Sequence, residues 1–242
     1  NLKASTSAGK FTLDGGTIKN CNADKGAGVA NISSDNDVAD FTMNSGTIDN
    51  CNATSIGGGL YNEETGVSTM NGGTIKNCSA NIGGGVIISG GGMIDESTGE
   101  IIPTSSTINT KCKFNMNGGS IENCKATSNN TKGYGGGVLA FYATFTMNNG
   151  TIKNCSAPHK ESASVCLFAN ATMYADGGSV YGQSLVFGQV NDTVSEITNT
   201  DSSKYTKFYS LVENQGTISG GVFYGGIKNT KNKKGVYGNV TS

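Results

Sequence analysis

Five of the seven cysteines in this 242-residue chain stand in one recurring phrase, T-I-x-N-C or its variant S-I-E-N-C: Cys21, Cys51, Cys78, Cys124 and Cys155. Cys112 and Cys166 lie outside it. A thiol at a fixed repeat position can bridge, ligate a metal or pack as a small hydrophobe. The sole histidine, His159, sits in C-S-A-P-H ahead of Lys160 and Glu161. It could act as a general base or join Cys155 and Cys166 around a metal, but a polar, Pro-containing loop reads more simply as solvated. The acidic phrases DNDVAD (35–40) and DESTGE (95–100) raise calcium, which takes roughly six to eight oxygens. Asp35, Asp37 and Asp40 would supply three of these; without a complete loop of ligands we read a solvated turn. Glycoside hydrolysis needs two carboxyls about 5–9.5 Å apart. Asp14 and Asp49 occupy different repeat positions, and Asp49 and Glu122 are two repeats apart with Lys76 between them. We expect no catalytic residue, no metal site and no cofactor.

The element that positions these residues is a repeat. FTLDGGTIKNCNA, FTMNSGTIDNCNA, STMNGGTIKNCSA, FNMNGGSIENCKA and FTMNNGTIKNCSA begin at residues 11, 41, 68, 114 and 145, separated by 30, 27, 46 and 31. A Gly-rich apolar phrase follows four of them: GAGV (26–29), GGGL (57–60), GGGV (83–86) and GGGV (135–138). Degenerate copies appear at 171–182 and 216–225. Within a unit, F-T-M and T-I-K alternate apolar and polar residues with the period of a strand. The M-N-G-G and N-C-x-A phrases supply turn residues that tolerate positive φ. Each unit therefore predicts three short strands with corners, one coil of a solenoid. The Gly-rich phrases lack the strand–loop–helix setting of a phosphate loop and predict close backbone packing at a corner.

In a parallel β-helix, equivalent residues stack about 4.8 Å apart along the axis. That places Ile18, Ile48, Ile75, Ile121 and Ile152 in one column, Leu13, Met43, Met70, Met116, Met147 and Met173 in a second, and Phe11, Phe41, Phe114 and Phe145 in a third. Asn20, Asn50, Asn77, Asn123 and Asn154 would form an amide ladder. Between Ile and Asn the outward residues are Lys19, Asp49, Lys76, Glu122 and Lys153, alternating in sign as an exposed salt ladder requires. Stacked cysteines would have parallel Cβ vectors, which oppose disulfide formation, and a straight column does not converge on a tetrahedral zinc. Free, packed thiols are expected, and the pairing of Cys112 and Cys166 stays open. Two outward Thr columns, Thr12, Thr42, Thr69, Thr146 and Thr172, and Thr17, Thr47, Thr74 and Thr151, resemble an ice-binding face, but a corner divides them and β-propensity accounts for them.

FTMN (41–44), FNMN (114–117) and FTMN (145–148), paired with GGGL (57–60) and the two GGGV phrases, resemble the FxxN and GG(A/G)(I/L/V) repeats of chlamydial polymorphic outer membrane proteins and related surface adhesins. The resemblance covers roughly residues 11–170, with Gly where Ala is usual. It implies a right-handed single-stranded parallel β-helix displayed on a microbial surface for attachment; other microbial adhesin-like repeat proteins fit the same residues.

The expected architecture is thus all-β: one β-helix domain over 1–242 with about seven coils of roughly 27–31 residues. A hairpin-like insertion at about 89–113 and degenerate capping coils at about 171–242 complete it. Tyr181, Tyr205, Tyr209 and Tyr224 would seal the last coil or pack sugars, and KNTKNKK (228–234) would be a solvated cap. The chain has 17 lysines, no arginine and a net charge of −1, which gives no concentrated basic surface for nucleic acid. No apolar run reaches the roughly 18–20 residues that span a bilayer. We expect a non-catalytic adhesin or display domain, extracellular or on the cell surface, part of a larger protein, with a host protein or glycan as partner. The alternative is a carbohydrate-active β-helix enzyme, a polysaccharide lyase or glycoside hydrolase. Resemblance to pectate lyases would imply an Arg or Lys base, and the missing arginine removes the commoner of the two.

Overall fold

A computed structural model of the chain describes residues 2–3, 9–33, 38–91, 93–94, 101–102, 111–128, 133–187, 194–201, 203–230 and 239–240. Nearly every strand pairs in parallel with the equivalent strand of the next coil. The pairs assemble into long sheets of nine and fifteen strands and a third sheet of four. Successive coils begin at Lys10, Asp40, Val67, Lys113, Thr144, Thr172, Glu196 and Thr217. Leu2–Lys3 pairs below the first coil and Asn239–Val240 above the eighth. The molecule is a parallel β-solenoid of eight coils among the described residues.

The repeat counts seven because the seventh coil carries no recognisable copy of its phrase. Glu196–Thr198 lies between the degenerate copies at 171–182 and 216–225, yet it stacks on Thr172–Tyr174 and supports Thr217–Ile218. The last coils are also shorter, with 24 residues from Thr172 to Glu196 and 21 from Glu196 to Thr217. The inserted hairpin is present between the third and fourth coils: Met93 and Ile94 pair antiparallel with Ile102 and Ile101.

The interior is built as columns. Ile18 lies opposite Ile48, Ile48 opposite Ile75, Ile75 opposite Ile121 and Ile121 opposite Ile152, and Val180, Phe208 and Phe223 continue the series. Ile48 and Ile121 are fully buried, each worth about 1.5–3 kcal/mol of transfer free energy. Met43, Met70, Met116 and Met147 stack as expected, but Met173 lies on Phe145, and Ala175 completes the Met column. The degenerate phrase TMYADGG aligns by its Gly pair, not by its T-M, which shifts it by two residues. A shift of two keeps each side chain on its own face, so Met173 is still buried, one column over. The same shift puts Thr172 on Thr144, and Tyr174 takes the rung above Thr146.

Ser68 interrupts the Phe column between Phe41 and Phe114. Two inward amides from the facing sheet share that volume. Ser68 Oγ donates to Asn62 Oδ1 at 2.8 Å, and Asn31 Nδ2 lies 2.6 Å from the same oxygen. Asn62 Nδ2 in turn reaches the carbonyl oxygens of Gly66 at 2.8 Å and Lys113 at 2.9 Å. The GGG phrases meet the corner expectation. A Cβ on Gly85 would fall 2.6 Å from the Gly137 carbonyl oxygen and 2.9 Å from Ile121 Cγ2, so a side chain has no room between stacked corners.

Candidate functional site

The outward column beside the Ile series changes its chemistry along the solenoid. In the first five coils it carries Lys19, Asp49, Lys76, Glu122 and Lys153, held in register by the strands Thr17–Lys19 to Thr151–Lys153. Lys76 Nζ lies 3.7 Å from Asp49 and Lys153 Nζ 3.1 Å from Glu122. These pairs are partly solvated, so each contributes at most about 1 kcal/mol. From the sixth coil the same column becomes Tyr181, Tyr209 and Tyr224. Tyr181 N donates to Ile152 O, Tyr209 N to Val180 O and Tyr224 N to Phe208 O, which keeps each ring one rung above the last. The rings stack with centroids 4.5 Å apart at 3° for Tyr181–Tyr209 and 5.1 Å apart at 17° for Tyr209–Tyr224.

All three rings are exposed, Tyr224 most of all at 63%. Because the faces lie against one another, ligand would meet ring edges and a row of phenol hydroxyls spaced by one rung, plus the open face of Tyr224. The tyrosines line a flank of the last coils and do not close the end. Tyr205 is exposed on the seventh coil outside this stack. The signal was available in the sequence: V-Y (180–181), F-Y (208–209) and F-Y (223–224) each place Tyr one residue after the column position.

The carboxylates do not converge. Asp14 accepts the Asn44 amide at 2.5 Å, Asp49 accepts the Asn77 amide at 2.8 Å besides Lys76, and Glu122 faces Lys153. Asp176, which the sequence does not single out, is buried and accepts from Thr200 N at 2.6 Å and Thr200 Oγ1 at 2.7 Å. It secures the short corner of the seventh coil. Asp40 is half-buried with its N–H donating to Gly9 O, while Asp35 and Asp37 and the phrase at 95–100 lie outside the described residues. Of the Lys-rich end, Lys228 pairs with Glu213 at 3.4 Å and 231–234 lie outside the described residues.

The amide ladder is only partly where the T-I-x-N phrase put it. Asn50 donates to Asn20 at 2.9 Å, but Asn77 turns to Asp49. The shared property of Asn20, Asn50, Asn77, Asn123 and Asn154 is a φ of 52–57°, the left-handed corner that Asn tolerates. A longer ladder runs along the other corner, from Asn148 to Asn117 at 2.7 Å, Asn117 to Asn71 at 2.9 Å, Asn71 to Asn44 at 2.7 Å and Asn44 to Asp14.

His159, Cys155 and Cys166 are not brought together. Cys155 belongs to the interior core, Cys166 to a second apolar cluster on the outer face of the nine-stranded sheet, and His159 packs its ring 5.0 Å from Tyr134. That second cluster, with Tyr61, Ile87, Leu139 and Leu185 buried, is foreshadowed by unbroken apolar runs such as VII and VLAF, the pattern of a parallel strand covered on both faces. Burial there raises the Cys166 and Tyr61 pKa values, and holds Tyr134, through burial first, up at about 12. Cys112 is buried in the interior beside the Asn62 amide at 3.3 Å, and burial raises its pKa too.

All seven cysteines are free thiols. Each column thiol donates to the carbonyl oxygen two residues earlier, and its neighbours in the column, Cys124 first and then Cys51, hold the Cys78 pKa below the ordinary thiol value against its burial, while those of Cys51 and Cys124 are raised, chiefly by Cys78 and by Cys155 respectively. Among the described residues no group of three or more His, Cys, Asp and Glu side chains is arranged to hold a metal ion. No described helix is long and apolar enough to cross a membrane. No family model, no curated protein and no solved structure matches the chain.

Proposed function

We propose that this chain is a non-catalytic attachment or display segment of a microbial cell-surface protein, and that its ligand is a host or environmental glycan met on the flank of the last three coils. The observation that carries the reading is the tyrosine ladder, Tyr181–Tyr209–Tyr224, exposed where every earlier rung of the column carries a charge. Tyrosine offers apolar surface and a hydroxyl together at low conformational cost, which suits recognition of a sugar's C–H faces and hydroxyls. The rung spacing presents one phenol per step to an extended chain. The hairpin between the third and fourth coils gives a second element that departs from the coil outline. Asp14, Asp49, Glu122 and Asp176 are each engaged by the chain's own amides, hydroxyls or lysines, which supports binding without turnover.

The test is a glycan array followed by a turnover assay on every glycan bound. Binding without product, lost at least tenfold in Tyr209→Ala and Tyr224→Ala with the circular dichroism spectrum unchanged, is the expected outcome. Release of product would replace this reading by the carbohydrate-active one, and binding unaffected by either substitution would remove the ladder from it.

A further inference from the structure

Asn-Gly dipeptides stand at Asn71–Gly72, Asn117–Gly118 and Asn149–Gly150. An asparagine in this setting is open to attack on its side-chain carbonyl carbon by the nitrogen of the following glycine, because no Cβ crowds the five-membered ring that results. All three asparagines are exposed at one corner of successive coils, so access of water does not separate them. Hydrogen bonding does. Asn71 Nδ2 donates to Asn44 at 2.7 Å and its Oδ1 accepts from Asn117 at 2.9 Å, while Asn117 Oδ1 accepts from Asn148 at 2.7 Å. Each of these two carboxamides is held from below and from above. The nitrogens that would attack them are engaged as well: Gly72 N–H donates to Met43 O at 3.3 Å and Gly118 N–H to Met70 O at 3.2 Å.

The fifth coil departs from this arrangement by one residue. Where the third and fourth coils carry M-N-G-G, it carries M-N-N-G, so Asn148 takes the ladder rung and Asn149 falls at the position of Gly72 and Gly118. The backbone follows the same alignment: Asn149 N–H donates to Met116 O at 3.2 Å, the bond that Gly118 makes one coil below and Gly72 two below. The Asn149 carboxamide turns instead onto its own backbone, with Oδ1 accepting from Gly150 N–H at 2.8 Å. A C=O bond is about 1.23 Å long, so Cγ lies within about 4.0 Å of the nitrogen that would attack it, against roughly 3–3.5 Å for atoms poised to react. Ring closure at Asn149 breaks no bond of the amide ladder.

We propose that Asn149 is a self-modifying site, deamidated through a succinimide in the folded protein, while the ladder protects Asn71 and Asn117. Gly150 N gives its proton to hydroxide and bonds to Asn149 Cγ; the Cγ–Nδ2 bond breaks, and ammonia leaves with a proton taken from water. Water then opens the ring at one of its two C–N bonds. Breaking the bond to Cγ gives aspartate, and breaking the bond to the Asn149 backbone carbonyl carbon gives isoaspartate. Amide and water become carboxylate and ammonium, and nothing is oxidised or reduced. Either product puts a negative charge on the corner, and isoaspartate also lengthens the backbone there. That corner is tied on both sides, Thr151 N–H to Gly119 O and Ser179 N–H to Gly150 O, each at 3.0 Å. A longer backbone therefore loosens the seams of the fifth coil with its neighbours. This inference does not depend on the attachment reading.

The experiment is incubation of the folded protein at mildly alkaline pH, with peptide mapping by mass spectrometry at intervals. The mass rise from exchanging NH2 for OH locates each converted asparagine, and labelling by an isoaspartyl methyltransferase separates isoaspartate from aspartate. The expected result is conversion of Asn149, with isoaspartate formed, at least about tenfold faster than of Asn71 or Asn117, whose ladder and backbone bonds must break first. In urea the three identical dipeptides should convert at similar rates. Asn149→Gln should keep the circular dichroism spectrum and abolish the fast release of ammonia, because the longer side chain does not close the five-membered ring. Aged protein should exchange the Thr151 and Ser179 amide protons faster than Asn149→Gln protein of the same age. Conversion of Asn149 no faster than that of Asn71 and Asn117 in the folded chain, the same excess persisting in urea, or ammonia release indifferent to Asn149→Gln would each overturn the proposal. Unchanged exchange at both amides would remove the loosened seams from it.

Discussion

Replacing Gly84 by alanine tests how tightly one coil corner rests on the next. A Cβ at Gly84 would fall 2.4 Å from both the carbonyl carbon and oxygen of Lys125 and 2.6 Å from its nitrogen, where ordinary contact begins near 3.4 Å. One peptide must therefore move by about 1 Å. It cannot do so alone, because Lys125 is paired with Ser79 on one side and bridged to Ser156 on the other. Overpacking a methyl group into a filled site costs about 1–3 kcal/mol, and a backbone obstacle held by two coils puts this case at the upper end. The smaller conformational entropy of unfolded alanine returns about 0.4–1 kcal/mol, leaving a net loss of about 2–3 kcal/mol. Gly16→Ala is the matched control: its φ is +75°, but a Cβ there meets nothing within 4 Å, so only left-handed strain of about 1–2 kcal/mol applies, before the same entropy return. Urea unfolding of both variants, followed by circular dichroism, measures the difference. A Gly84→Ala midpoint equal to or above that of Gly16→Ala would refute the close stacking of corners.

Three further outcomes follow from the same coordinates. Burial raises the pKa of Cys112 and Cys166 in the folded chain, so above the ordinary thiol value of 9.0 the unfolded state loses protons that the folded state keeps. Above pH 9 stability should then fall by up to about 1.4 kcal/mol per unit for each thiol, and urea melts between pH 8 and pH 10 should show a total loss smaller by about 1.4 kcal/mol in Cys166→Ala. Asn62→Ala removes the amide that serves the Gly66 and Lys113 carbonyls and opens a buried gap, and should cost about 2–4 kcal/mol in thermal or urea unfolding. Glu122→Lys should destabilise by no more than about 1 kcal/mol, recover in part when combined with Lys153→Glu, and lose its effect at high salt, as a double-mutant cycle at two ionic strengths would show.

What could be read ahead of the coordinates was whatever the repeat writes in full. Ile48, Ile75 and Ile121 announce their column because a buried, layered interior demands the same shape at each rung. Lys76 and Asp49 announce theirs because neighbouring charges must alternate. The degenerate coils were harder, since Glu196–Thr198 retains only the in–out alternation and no phrase, and alternation alone does not set register. Met173 shows the consequence: a slip of two residues preserves burial and misplaces the column. The expected amide ladder holds at Asn20 and Asn50 alone, and the longer one at the other corner is hidden because Asn recurs in both phrases. A recurring Asn can mark either a hydrogen-bonded stack, as at Asn71 and Asn117, or a left-handed backbone, as at Asn77. The outer apolar cluster around Tyr61 and Leu139 is written as unbroken apolar runs such as VII and VLAF, but what covers them follows from tertiary structure, which no single strand encodes. The tyrosine ladder was visible as residues and not as a surface, because its first two rungs are 28 residues apart and its last two are 15.

The account rests on parallel, in-register stacking of successive coils, and methyl-to-methyl nuclear Overhauser contacts in an Ile-labelled sample test it most directly. The predicted result is a linear network joining Ile48 to Ile75, Ile75 to Ile121 and Ile121 to Ile152, with no contact from Ile48 to Ile152. Absence of the Ile75–Ile121 contact, which spans the inserted hairpin, or a network that skips rungs would contradict the solenoid and every column drawn from it.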